Sequence, residues 1–272
     1  MPRTSIRIWG LPMGPRKLEN RIALITGAGR GIGRAIAVGY AKEGATIAAV
    51  ARTASELHSL NEEISRLGAT IITISADLSD PSAPARIVNT VLQALGTVEI
   101  LVNNAGVGTS PNPRPTVDFD DAFWNHTLAV NLTAPYLLCK AVLPVLLSKK
   151  SGRIINIASI GGKIGLMHGV AYSASKHGLL GLTRTLALEV AKDGITVNAI
   201  CPGPVRTVMN DKRMLYDAQR LGTTVEDLLS RATPIGRRLE PEDIVPMAVL
   251  LATEESAAIT GQAFNICGGT VM

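Results

Sequence analysis

Tyr172 and Lys176 stand four residues apart in Tyr172-Ser173-Ala174-Ser175-Lys176, where a helical pattern begins. That spacing puts both side chains on one helix face, one turn apart. An ammonium beside a phenol stabilises the phenolate and lowers a pKa that is ordinarily about 10. Reaching neutrality takes a shift of roughly 3 units, or about 4 kcal/mol, which the lysine and a second positive charge can supply jointly. Ser159 follows the apolar run Ile154 to Ala158. A hydroxyl there can donate to a substrate carbonyl and hold it against the tyrosine. An isolated Tyr-x-x-x-Lys also describes a surface pair with a snorkelling lysine, so the rest of the chain must decide.

The other concentration of chemistry is Thr26-Gly27-Ala28-Gly29-Arg30-Gly31-Ile32-Gly33, between the apolar run 22–25 and a helical pattern over 34–42. Strand, glycine turn and helix start in that order expose backbone N–H groups, admit a pyrophosphate and set a helix dipole against it. At the end of the second apolar run, Ala51 stands where an acid would bond ribose hydroxyls, and Arg52 follows. An arginine can fork onto a 2′-phosphate, and Arg30 adds a second charge, so NADP(H) is favoured over NAD(H). Asp77-Leu78 offers a carboxylate to an adenine amino group. In Asn103-Asn104-Ala105-Gly106 the amides can tie strands together, while Gly106 permits close approach to the cofactor.

These residues need a scaffold that brings strand ends together. Strand-length apolar runs occur at 22–25, 46–50, 71–75, 98–102, 153–158, 196–200 and 263–267. Helical patterns lie near 34–42, 54–66, 84–95, 119–148, 173–192 and 241–252. Such alternation predicts an α/β fold: one doubly wound Rossmann domain, a parallel seven-stranded sheet with helices on both faces. Its ligands gather at the carboxyl ends of the strands. The domain is expected over 18–272, after a flexible leader, Met1 to Lys17, in which Met13 is an alternative initiator.

With these motifs in place, the sequence resembles the short-chain dehydrogenase/reductase family, on its NADP-preferring carbonyl and 3-oxoacyl reductase-like branch. The resemblance rests on residues 26–33 and 103–106, Asn131, Ser159, Tyr172-x-x-x-Lys176, and Pro202-Gly203 with Thr207, and runs from about Lys17 to the end. It implies hydride transfer between a nicotinamide and a carbonyl or secondary alcohol, without a metal. Tyr172 would act as acid or base, Lys176 would lower its pKa and hold the ribose, and Ser159 would position the carbonyl. Asn131 would hold a water in a proton relay reaching Lys176. Cofactor contacts would come from Gly27, Arg30, Gly31, Ile32, Gly33, Arg52, Asp77, Leu78, Asn104, Ala105, Gly106, Tyr172, Lys176, Pro202, Gly203 and Thr207. The alternatives are an NAD-dependent dehydrogenase of a secondary alcohol and a non-catalytic redox sensor; intact Asn131, Ser159, Tyr172 and Lys176 argue against the sensor.

Residues 207–235 interrupt the alternation and are expected to form a lid, mostly polar over 211–220 with a short helix over 225–230. Ile160, Ile164, Leu166, Met167, Val107 and Pro111 are expected to wall a largely apolar substrate pocket, with His168 a polar contact. Carrier-protein reductases of the family carry basic residues where this chain has Leu137 and Asp193, which weakens a carrier-bound substrate. Small ketones, sugar acids, 3-hydroxyacyl compounds and steroid or polyketide carbonyls stay open.

The chain has 272 residues, 46% hydrophobic and 18% charged, as a globular protein does. Its net charge of +5 is spread without the dense basic run that nucleic acid binding would need. No apolar run of membrane-spanning length is free of polar residues, glycine or proline. Three cysteines (Cys139, Cys201, Cys267) without metal-ligand spacing read as buried thiols in a reducing, cytoplasmic setting. Leu137, Leu138, Val142, Leu143 and Leu146, with Leu179, Leu182, Leu186 and Val190, give the two long helices more apolar surface than one sheet face needs. In the resembled family those helices pair across a two-fold axis, so a homotetramer, or at least a homodimer, is expected.

Overall fold

Seven short apolar runs become seven strands because each is flanked by helices that cover it. In the computed structural model, which describes residues 16–272, they are β1 (Ile22–Thr26), β2 (Thr46–Ala51), β3 (Ile71–Ser75), β4 (Ile100–Asn103), β5 (Gly152–Ile157), β6 (Ile195–Pro202) and β7 (Ala263–Ile266). All pair in parallel, in the order β3-β2-β1-β4-β5-β6-β7. The chain therefore runs outward from β1 and then returns to lay β4 on its other side, which opens a crevice between the carboxyl ends of β1 and β4. β5 and β6 are buried along their whole length.

The helices are α1 (Gly31–Lys42), α2 (Ala54–Arg66), α3 (Ala83–Leu95), α4 (Asp121–Leu128), α5 (Ala134–Lys149), α6 (Val170–Val190), α7 (Val208–Leu221), α8 (Val225–Ser230) and α9 (Val245–Ala252). Ile36, Tyr40, Leu60, Ile64, Ala248 and Leu251 pack one sheet face under α1, α2 and α9. Val88, Val91, Leu138, Val142, Leu186 and Val190 pack the other under α3, α5 and α6. Leu18 is completely buried and the Lys17 N–H donates to Glu43 at 3.0 Å. The expected leader lies, over residues 1–15, outside the described residues.

One expectation changes. The single helix expected over 119–148 is α4 and α5 joined by a π turn, Ala129–Thr133. Pro135 has no N–H to give the carbonyl of Asn131 four residues back, so an α ladder cannot continue through this point. The mostly polar stretch 211–220 lies inside α7, capped by the Thr207 hydroxyl, which accepts from the Asn210 N–H at 3.3 Å, and closed by Gly222 at φ 63°.

The combined run Asp121–Lys149 is long and apolar enough to cross a membrane by length and composition. In this fold its Ala134, Leu138, Val142 and Leu146 are buried in the sheet-facing core. Most of the apolar positions expected to face a partner (Leu138, Val142, Leu146, Leu179, Leu186 and Val190) are likewise buried within the domain, and the outward set is Tyr136, Leu147 and Leu188. A helix facing its own sheet and one facing a partner carry the same composition; only the rotation about the axis tells them apart.

Candidate active site

The glycine turn between β1 and α1 is held from beneath. Asn104 Nδ2 donates to the carbonyls of Thr26 and Gly27 at 2.9 and 3.1 Å, and Thr26 Oγ1 accepts from the Asn104 and Ala105 N–H groups at 3.0 and 3.1 Å. Gly27 turns at φ 65°, and a Cβ there would lie 2.8 Å from Ala105 Cα. A Cβ at Gly33 would lie 2.3 Å from the Gly27 carbonyl, so α1 closes on the turn only with glycine at that position. A cleft of about 570 Å³ follows, lined by Gly27, Arg30, Gly31, Ile32, Arg52, Asp77, Leu78, Asn104, Ala105, Gly106 and Thr207. Its lining fits a dinucleotide: small residues, a helix start and several cations, with Thr207 close to Gly31. Gly33 lies behind this wall rather than on it.

Ala51 and Arg52 close β2, and Arg52 is exposed toward the cleft. Arg30 lies 3.6 Å from Glu56 of α2. Asp77 accepts from the Ser79 N–H at 2.9 Å, and chiefly for that reason its carboxyl sits below the usual range.

A second cavity of about 350 Å³ meets the first at Ile32, Thr207 and Met209. Ser159, Ile160, Tyr172, Lys176, Pro202 and Gly203 line it. Ser159 caps the tight turn after β5 and accepts from the Gly161 N–H at 3.0 Å, which leaves its own hydrogen free to donate. Lys176 is buried; its Nζ donates to the Ile157 carbonyl at 2.8 Å and stands 5.8 Å from the Tyr172 ring centre. α6, which carries both residues, is pinned to the sheet by a buried amide chain. Asn103 Nδ2 donates to Asn156 Oδ1, and Asn156 Nδ2 donates to Thr183 Oγ1, each at 2.9 Å.

Burial raises the Tyr172 phenol above its usual pKa, with the Ser159 hydroxyl acting against it. Burial lowers Lys176 to about 8. Burial thus opposes the downward pull on the phenol expected from the ammonium.

Asn131 is fully buried in the π turn, and both of its amide donors are engaged. Oδ1 accepts from the Val107 N–H at 2.7 Å, while Nδ2 donates to the Val107 carbonyl at 2.9 Å and to Ser175 Oγ at 3.1 Å. It lies across Gly106 from Lys176: a Cβ at Gly106 would be 3.4 Å from Asn131 Oδ1 and 3.8 Å from Lys176 Nζ.

The substrate wall differs from expectation. Ile160 and Leu166 line the second cavity and Val107 the first, whereas Ile164, Met167, Pro111 and His168 line neither. His168 pairs with the Tyr216 hydroxyl of α7, and Met167 contributes its carbonyl to Arg213. The cavity is not simply apolar, because α7 brings in Asn210, Arg213 and Asp217. Arg213 Nε donates to Asp217 at 2.6 Å, Nη1 to Thr109 Oγ1 at 2.9 Å and Nη2 to the Met167 carbonyl at 2.8 Å. This guanidinium ties α7 to the loops after β4 and β5. The sequence reading overlooked it; the signals were the caps Thr207 and Gly222 and an Arg-x-x-x-Asp pair between them.

Residues 21–216 match the family model described as short chain dehydrogenase. The protein assigned as ketoacyl reductase 1 of the granaticin polyketide synthase of Streptomyces violaceoruber is 42% identical over 260 residues, covering 94% of each chain. A 3-oxoacyl-[acyl-carrier-protein] reductase of Vibrio harveyi is 38% identical, covering 94% of this chain and 99% of its own. Among solved structures, an actinorhodin polyketide ketoreductase variant with NADPH superposes with a TM-score of 0.87 at 37% identity, covering 92% of this chain and 96% of its own.

Proposed function

The chain belongs to the short-chain dehydrogenase family, and from that premise we propose that it is an NADP(H)-dependent reductase of ketone or 3-oxoacyl-type carbonyls. The observation that carries this reading is the placement of Ser159, Tyr172 and Lys176 on one cavity wall, continuous at Ile32 and Thr207 with a dinucleotide-shaped cleft. The family assignment makes the chain an oxidoreductase; cofactor preference, site roles and substrate are our reading.

When bound, the nicotinamide supplies the hydride. The protein's part is orientation and proton transfer. The Ser159 hydroxyl donates to the carbonyl oxygen, and the raised phenol of Tyr172 delivers its proton to that same oxygen as negative charge develops there. Lys176, with one N–H held by Ile157, keeps two for the ribose and for the charge left on the phenolate. We read Asn131, across Gly106, as holding a water that returns a proton toward Lys176. In the oxidative direction each transfer reverses.

Arg30 and Arg52 support NADP(H). Titrating the protein with NADPH and with NADH, followed by intrinsic fluorescence, should give about tenfold or tighter binding of NADPH. Equal or reversed affinities would overturn this preference and favour an NAD-dependent alcohol dehydrogenase. For the substrate, three relatives point one way: two are named for ketoacyl or 3-oxoacyl reduction, and a D-beta-hydroxybutyrate dehydrogenase of Rhizobium meliloti is 37% identical. All three names describe acyl chains oxygenated next to the α carbon.

Residues 207–235 act as the lid, with α7 as its inner surface. Hydrogen bonds from a charged group contribute about 1.5–3 kcal/mol each. Arg213→Ala should therefore raise KM for the carbonyl substrate about tenfold while kcat changes less than about threefold. A fall in kcat at unchanged KM, measured by steady-state kinetics, would place Arg213 in the chemistry instead. We read the assembly as a homotetramer or homodimer through Tyr136, Leu147 and Leu188, and the compartment as the cytoplasm, supported by three free, buried cysteines.

A further inference from the structure

Beside Arg30 the cleft contains a carboxylate that the reading above does not use. Glu56 is the third residue of α2, in the first turn, where the helix dipole favours an acid. Its side chain folds back over the glycine turn: a Cβ at Gly29 would lie 2.6 Å from Glu56 Oε2. Oε1 stands 3.6 Å from Arg30, too far for a hydrogen bond and close enough for an ion pair. Thr53, at the N-cap, makes no side-chain cap bond. Among the described residues, Arg30 is the cation within 4 Å of Glu56, and no carboxylate lies within 4 Å of Arg52. Glu56, Arg30, Arg52 and Thr53 all line the cleft, and Asp77 lines it further along.

We propose that Glu56 is an internal counter-ion for the 2′-phosphate subsite, which holds Arg30 and sets how strongly this chain prefers a 2′-phosphorylated nucleotide. The inference rests on reading the cleft as a dinucleotide site with its 2′ end at Arg30 and Arg52. Those two arginines bring two positive charges, and Glu56 cancels one. A phosphate monoester near neutral pH carries about −1.5 to −2. Its arrival is opposed by the carboxylate directly, and it must also compete with that carboxylate for Arg30. A 2′-hydroxyl meets neither cost. Glu56 therefore lowers discrimination without abolishing it, doing from α2 a weakened form of what an acid at Ala51 would do from β2.

The test is calorimetric binding of two fragments, 2′,5′-ADP and 5′-AMP, to wild type, Glu56→Gln and Glu62→Gln. Glu62 lies on α2 outside the cleft and reports the effect of removing one negative charge from that helix. Glu56→Gln should tighten 2′,5′-ADP about fivefold at low salt and leave 5′-AMP within about twofold, with the gain shrinking in 0.5 M NaCl. Retained 5′-AMP binding shows that the variant is folded. Glu62→Gln should leave both within about twofold. If wild type prefers 2′,5′-ADP and Glu56→Gln changes nothing, or Glu62→Gln matches it, the counter-ion role is overturned and the cofactor reading stands. If wild type shows no preference but Glu56→Gln gains one, the cofactor reading fails and the counter-ion role stands. If neither protein prefers 2′,5′-ADP, both fail.

Discussion

Tyr172→Phe should lower kcat by about 10³-fold, within the range that a positioned acid contributes, and leave NADPH binding within about twofold. The phenol is half-buried on the cavity wall, next to Ser159 and above Lys176. Phenylalanine keeps the ring and its packing and removes one O–H, so the loss falls on proton delivery. The loss should appear in kcat and kcat/KM equally, the mark of an interaction made in the transition state. Single-turnover measurements with NADPH and a 3-oxoacyl thioester would separate chemistry from product release. Full turnover by the variant would sink the mechanism, because the other acid among the residues lining that cavity, Asp217, is engaged by Arg213.

Lys176→Met should cost about 10²- to 10³-fold in kcat/KM and, unlike Tyr172→Phe, should weaken cofactor binding as well. Lys176 stands where ribose and phenolate would share its free N–H groups. It also predicts a pH limit. Burial lowers this lysine to about 8, so the folded enzyme holds the ammonium below that pH and loses it above. The unfolded chain keeps its lysine protonated up to about 10.4. Between those values the unfolded state binds more protons, so Lys176 contributes to stability as pH rises, while the charged form used in catalysis disappears. Stability and activity should thus move in opposite directions through this window. The profile of kcat/KM for the cofactor, which reports the free enzyme, should fall above about pH 8. In the residual activity of Lys176→Arg that limb should move upward, because a guanidinium stays charged. An unmoved limb would assign it to another group.

The distribution of what was legible follows from the range of the forces involved. Local signals were read well. The apolar run 71–75 and the helix over 54–66 have the boundaries read from sequence, because a buried strand or an amphipathic helix declares its period within its own residues. The glycine turn, Asn104 beneath it and the Tyr172–Lys176 face were legible because each is a fixed spacing on one element, or a strand end whose place topology dictates. The resemblance to a family added roles that spacing by itself leaves open.

The amino-acid sequence by itself determined a parallel, doubly wound sheet and the residues brought to its strand ends, whereas which strands are neighbours, and so the crevice between β1 and β4, came with the tertiary structure. Alternating strands and helices can close only into a right-handed parallel sheet, and its strand ends converge wherever the order reverses. Tertiary structure decided what depends on burial and on partners distant in the chain. It tied the Asn131 amide to Val107 and Ser175, and it buried the Tyr172 phenol, a desolvation that opposes the pull of the lysine one turn away. It put Met167 and His168 behind α7 and Arg213 in front, and it laid Glu56 over Gly29. A side chain's charge state and orientation are set by everything packed around it, and desolvation has no sequence period from which it could be read.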